Sequence, residues 1–233
     1  MPQRLHPTSL KTDLEKLIIT ANSIEPLLAK RLKDLMSWIG KKKDGFLKSK
    51  PYVLDLLTEL ILDSELWLSL KRMTPDEKQK FYIQEQITPA EQYWYDFLFP
   101  QWFNERDPQL PRWKQEMMAG NFHQNDEALI SSLSWEIEAQ GGSCMWRYIL
   151  DLSMATDLVV VGSSNIPLCV QLTTSRSDSK RTNWEAVLRH WGIKRGLFVS
   201  FNPKRLDTNA LAKGILEKGD ILPSHCYDQY ISS

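Results

Sequence analysis

The hydrophobic period changes once along this chain, and that change limits the fold more than any single motif. Up to about residue 140 the apolar residues recur every three or four positions. Beyond it they gather in short runs flanked by turn residues. The first spacing belongs to amphipathic helices and the second to buried strands. A helical region over residues 1–125 followed by an α/β domain over 126–233 is the organisation this predicts.

Local start and stop signals fill in the helical region. Thr12-x-x-Glu15 has the form of a capping box ahead of Leu14, Leu17 and Ile18. Ile24–Ile39 carries Leu27, Leu28, Leu32, Leu35, Met36 and Ile39 at helical spacing and stops at Gly40, before Lys41-Lys42-Lys43. Pro51–Met73 is apolar on most sides, which suits a central buried helix. Thr74-Pro75-Asp76-Glu77 and Thr88-Pro89-Ala90-Glu91 each offer a Thr cap, a Pro at the first helical position and a Glu three residues on. Tyr93, Trp94, Phe97 and most of the nine tryptophans read as core, because no exposed row displays them for base stacking. Phe99–Asn125, rich in Pro, Gln, Asn and charge, reads as an irregular connection.

In the second region Asp126–Gln140 has helical spacing and is stopped by Gly141-Gly142. Short β runs follow at Trp146–Leu152, Leu158–Val161, Leu168–Leu172 and Gly196–Phe201. Helical patterns at Asn183–Trp191 and Thr208–Lys218 interleave with the last of them. The order helix, three strands, helix, strand, helix predicts an α/β (α+β) domain, a mixed sheet with helices packed on it.

Bulk properties remove several function classes. The apolar and charged fractions, 42% and 25%, are those of an ordinary soluble protein. The longest apolar stretch, Tyr52–Leu70, is broken by Asp55, Glu59, Asp63 and Glu65, so no membrane span is expected. MPQRLHPTSL has no apolar signal-peptide core, and Cys144, Cys169 and Cys226 form no disulfide framework, so a cytoplasmic location is the expectation. His225-Cys226 with Cys144 and Cys169 lacks zinc-ligand spacing. Neither a G-x-S-x-G elbow nor a P-loop is present.

The net charge is zero but unevenly spread: +6 over residues 1–50, −9 over 51–140 and +3 over 141–233. Between Arg176 and Arg205 the cations Arg176, Lys180, Arg181, Arg189, Lys194, Arg195, Lys204 and Arg205 face only Asp178 and Glu185. A basic stripe of this kind binds phosphates or is a solvated face. Arg176, Lys180, Arg181, Arg189, Lys194 and Arg195 are the candidate nucleic-acid contacts.

One group of residues has a geometry that points to chemistry. Asp157 precedes the first run of a strand–turn–strand unit, and Gln171 and Thr173 sit at i and i+2 on the second. Alternation puts Gln171 and Thr173 on one face, at the sheet end that Asp157 also reaches. A hard cation such as Mg²⁺ takes oxygen ligands of the kind Asp157, Gln171 and a strand carbonyl offer. Glu136 falls at the edge of the apolar face Leu129, Ile130, Leu133 and Ile137, where a carboxylate needs a partner. That partner is a metal, or a base such as Arg147.

The order helix-Glu, strand, Asp before a strand, turn, strand ending in acid-x-Lys, then helix and strand, resembles the PD-(D/E)xK nuclease superfamily over roughly Asp126–Leu222. The resemblance implies a restriction-endonuclease-like fold and Mg²⁺- or Mn²⁺-dependent hydrolysis of nucleic acid, most simply DNA. Asp157 matches the motif's Asp, Gln171 its second acid, Thr173 its Lys and Glu136 the helix acid of part of the superfamily. Asp157, Gln171 and Glu136 are thereby the implied metal ligands, with Thr173 completing the catalytic set. Two departures stand out: Gln171 replaces a charge with a dipole, and Thr173 carries no cation to steady an attacking hydroxide. The alternative is a non-catalytic DNA-binding or protein-interaction module on the same fold, with the helical region contacting a protein partner or a second copy.

Overall fold

Leu10 is completely buried, and the first helix starts there. The computed structural model describes residues 9–40, 50–119 and 127–232. Helix α1 (Leu10–Ile24) has Ser9 at its N-cap, without a side-chain cap bond, so Thr12 and Glu15 lie inside the helix rather than at a capping box. The stripe Leu10, Leu14, Leu17, Ile18 and Ala21 explains the earlier start, because burying Leu10 outweighs a cap at Thr12. Helix α2 (Pro26–Gly40) begins at a proline and packs on α1; the lysine run after it lies outside the described residues. Helix α3 (Pro51–Lys71) is buried on most sides, as its composition predicts.

Both repeated start signals are capping boxes. Thr74 opens α4 (Pro75–Gln84) and Thr88 opens α5 (Pro89–Tyr93), each with its Glu carboxylate accepting the Thr backbone N–H. After the π-helical turn Trp94–Leu98, the expectation of an irregular Phe99–Asn125 is overturned by α6 (Phe99–Asn104) and α7 (Leu110–Ala119). Phe99, Trp102 and Phe103 bury one face of α6, and the buried Asp107 carboxylate accepts the Gln109 and Leu110 N–H groups that open α7. Residues 120–125 of that stretch lie outside the described residues.

The chain forms two compact units. One takes the described residues of Met1–Glu85 and Phe99–His123 and is all helical. In it the Arg31 guanidinium donates to the Trp102 and Glu105 carbonyls, tying α2 to the end of α6. The other takes Gln86–Leu98 and the described residues of Gln124–Ser233, so α5 belongs with the sheet, where it packs on its first strands.

The second unit is a mixed α/β layer structure. Helix α8 (Glu127–Ala139) leads to β1 (Ser143–Met145), helix α9 (Tyr148–Met154), β2 (Leu158–Val161) and β3 (Leu168–Thr173). Helix α10 (Asp178–His190), β4 (Arg195–Ser200), α11 (Thr208–Ile221) and β5 (Cys226–Ile231) complete it. The run Trp146–Leu152 is thus no strand: most of it winds into α9, a short apolar run that periodicity alone cannot assign. Nor does the sequence pattern reveal β5, whose residues are mostly half-buried and hold no apolar run.

Strand order is β1-β2-β3-β4-β5, antiparallel through β3 and parallel from β3 to β5. Leu158, Val160, Leu168, Val170, Leu172, Leu197 and Val199 face a core shared with α8 and α11. By alternation Cys169, Gln171, Thr173, Gly196, Phe198 and Ser200 face the other way, under Trp184 and Leu188 of α10. Trp184 and Trp191 fix α10 to α9 by donating to the Ala155 and Ser153 carbonyls at 3.0 and 2.7 Å. Among the described residues no helix is long and apolar enough to cross a membrane.

Candidate functional site

β2 runs antiparallel to β3, so the start of β2 and the end of β3 meet at one edge of the sheet. The Asp157 N–H continues the ladder by donating to the Val170 carbonyl at 2.9 Å. Leu158 faces the α8–α11 core, so the Asp157 side chain turns to the opposite face, the one carrying Gln171. There Asp157 Oδ2 accepts Gln171 Nε2 and the Leu172 N–H, each at 2.6 Å. Gln171 Nε2 donates a second time to the Leu172 carbonyl at 3.2 Å. Both neighbours of this amide end are acceptors, which requires its NH₂ rather than its oxygen to face them.

Thr173 is held differently. Its Oγ1 accepts the Ser175 N–H at 3.0 Å, and its carbonyl accepts the Phe201 N–H at 3.0 Å. The buried Ser200 donates its hydroxyl to the Ser175 carbonyl at 2.9 Å, pinning the turn after β3 onto the end of β4. Asp157, Gln171 and Thr173 therefore converge at one sheet end, half-buried, as their spacing predicts.

Glu136 does not join them. It lies on α8, in the layer covering the opposite sheet face, and its Oε2 accepts Asn209 Nδ2 of α11 at 2.7 Å. Its position at the edge of the apolar stripe reflects the α8–α11 contact, and the side chain it meets is Asn209 rather than Arg147. Among the described residues no group of three or more His, Cys, Asp or Glu side chains is placed to hold a metal ion. Among the described residues, the hydrogen-bonded groups at Asp157 include its own carboxylate, the Leu172 main-chain carbonyl and the Gln171 amide. The amide presents a donor at the point where Mg²⁺ would need oxygen, so the residues as arranged do not fit the ion. Cys169 and Cys144 are poor thiolate donors, since burial pushes the Cys169 thiol up to about 12 and the Cys144 thiol up to about 11.

The basic stripe is divided by the fold. Arg195, a candidate nucleic-acid contact from sequence, is a buried structural residue: it donates to the Leu222, Ile166 and Pro167 carbonyls at 2.9, 2.8 and 3.3 Å, and to the Gly219 carbonyl. Lys194 is exposed but stands beside it just before β4, roughly 20 Å along the strand from the Thr173 end. Arg181 and Arg189 share Glu185 at 3.1 and 2.7 Å, and Arg189 lies 5.2 Å from the Tyr227 ring centre. Arg176, in the turn after β3, and Lys180, in the first turn of α10, are exposed. Lys204 and Arg205, the last cations of the basic stripe, are exposed just past the end of β4, which runs parallel to β3. None of Arg176, Lys180, Lys204 and Arg205 makes an ion pair with a described residue. The carboxyl ends of β3 and β4 thus carry a rim of four exposed cations. No family model, curated protein or solved structure matches the chain.

Proposed function

We propose that the second unit is a restriction-endonuclease-like domain that binds the sugar-phosphate backbone of nucleic acid, most simply DNA, at the carboxyl end of its sheet, without cutting it. The single observation that carries this reading is the rim of Arg176, Lys180, Lys204 and Arg205 beside the Asp157–Gln171 pair. Exposed cations that make no ion pair with a described residue, gathered at one end of a parallel strand pair, suit phosphate, and the carboxyl ends of such strands are where open α/β sheets take ligands. A helix, three antiparallel strands with α9 between the first two, a helix and a parallel fourth strand in that order support the fold assignment. Binding rather than hydrolysis is favoured by Thr173, which has no cation to offer and whose hydroxyl oxygen is engaged by Ser175.

Fluorescence anisotropy with labelled duplex and single-stranded DNA in EDTA tests the reading. Binding should weaken with salt, and each of the pairs R176E/K180E and K204E/R205E should lower the log–log salt slope by about 2. K194E, at the far sheet end, should leave it unchanged. Equal loss from K194E, or no retention at low salt, overturns the assignment. Plasmid cleavage in Mg²⁺ or Mn²⁺ that disappears in Asp157→Ala would replace binding alone with metal-dependent hydrolysis.

A further inference from the structure

Gln171 Nε2 is held by two acceptors, Asp157 Oδ2 at 2.6 Å and the Leu172 carbonyl at 3.2 Å. Those two oxygens would be the protein ligands of a small cation placed between them. The amide N–H groups already supply positive hydrogen ends at that point, and the Leu172 N–H adds another on the same carboxylate oxygen. We infer that the Gln171 amide is a permanent stand-in for a divalent cation, so that this sheet end keeps its geometry with no metal and residue 171 alone decides whether metal is required.

The argument is one of charge. With Gln at 171 the pair carries a single negative charge, and two N–H groups, from the Gln171 amide and Leu172, donate to the carboxylate oxygen that bears it. With Glu at 171 two carboxylates would stand at hydrogen-bonding distance and repel unless a proton or a cation sat between them. A divalent ion held by two carboxylates and a strand carbonyl meets the oxygen chemistry that Mg²⁺ and Mn²⁺ demand, which one carboxylate and an N–H donor do not. The inference deepens the binding reading: it assigns the phosphate-facing end a metal-independent architecture and makes any backbone contact there a direct one.

The test uses the full chain, wild type and Gln171→Glu, with Mn²⁺ as the probe. Thermal unfolding in EDTA and in millimolar Mn²⁺ is followed together with the free-Mn²⁺ paramagnetic resonance signal. Wild type should unfold at the same temperature in both and leave the Mn²⁺ signal undiminished. Q171E should melt lower in EDTA, recover in Mn²⁺ and deplete the free signal, and Asp157→Asn in the Q171E background should abolish both metal effects. Q171E that folds only with Mn²⁺ gives the same answer. Wild-type depletion of Mn²⁺ that is lost in Asp157→Asn, or Q171E that is equally stable or equally unfolded with and without Mn²⁺, overturns the inference. DNA anisotropy on the same samples keeps the two readings apart. Loss of DNA binding leaves the amide assignment standing, and wild-type Mn²⁺ uptake removes the amide assignment while leaving the basic rim.

Discussion

The Arg195 guanidinium donates to the Leu222 carbonyl at 2.9 Å, joining the first residue of β4 to the end of α11. The same side chain reaches the Ile166 and Pro167 carbonyls in the β2–β3 turn, so three separate segments close around one cation. Burial pushes the Arg195 guanidinium down from its ordinary value, and nearby Asp220 opposes that shift.

Replacing Arg195 by Met leaves these carbonyls buried without a donor. Arg195→Met should cost about 3 kcal/mol or more in urea unfolding. Lys194→Ala, one residue away and exposed, should stay within about 0.5 kcal/mol of wild type. Similar values for the two would contradict a structural role for Arg195.

Asp157→Ala removes the acceptor of both the Gln171 amide and the Leu172 N–H. Water reaches part of this half-buried site, so the expected loss is about 1–2 kcal/mol. Asp157→Asn keeps one acceptor oxygen and should lose less. Amide hydrogen exchange at Leu172 should quicken in Asp157→Ala.

Gly196 lies directly beneath α10. A methyl group there would stand 2.8 Å from Trp184 Cη2 and collide with Leu188 Cδ1. Overpacking of this kind costs about 1–3 kcal/mol, so Gly196→Ala should lower the melting temperature as α10 moves outward.

Asp220 couples the β2–β3 turn to α11: Oδ2 accepts the Ser163 hydroxyl at 2.6 Å and Oδ1 the Ser164 N–H at 2.9 Å. The Ser163 hydroxyl, opposed next by burial and aided by the Ser164 N–H, holds the Asp220 carboxyl below its ordinary value. A carboxyl depressed in the folded state stabilises above its unfolded value and loses that contribution as pH falls through the folded one. Ser163→Ala should therefore reduce stability at neutral pH and flatten its decline below about pH 4. Melting curves of the two proteins taken across that range should converge at the acid end.

How much of this was readable in advance divides along a physical line. The two capping boxes, the buried α3 and the runs of β2 and β3 depend on neighbours within a few residues, and the sequence patterns locate them. Helices α6, α7 and α9 did not announce themselves, because Pro, Gln and charge hid the i, i+3, i+4 burial of Phe99, Trp102 and Phe103 and because the apolar run in α9 is too short to show a period.

The candidate site follows the same line. The sequence by itself determined that Asp157, Gln171 and Thr173 share one sheet end, since strand alternation and a short turn leave no other arrangement. Tertiary structure alone decided the rest. Helix packing sends Glu136 to Asn209 on the far side of the sheet, and burial turns Arg195 from a surface cation into a clasp. The parallel pairing of β3 with β4 brings Lys204 and Arg205 to the end that Arg176 and Lys180 occupy. Those outcomes depend on which strand lies beside which and which face each helix covers, and that is set by summed burial across the whole domain rather than by any short stretch of chain.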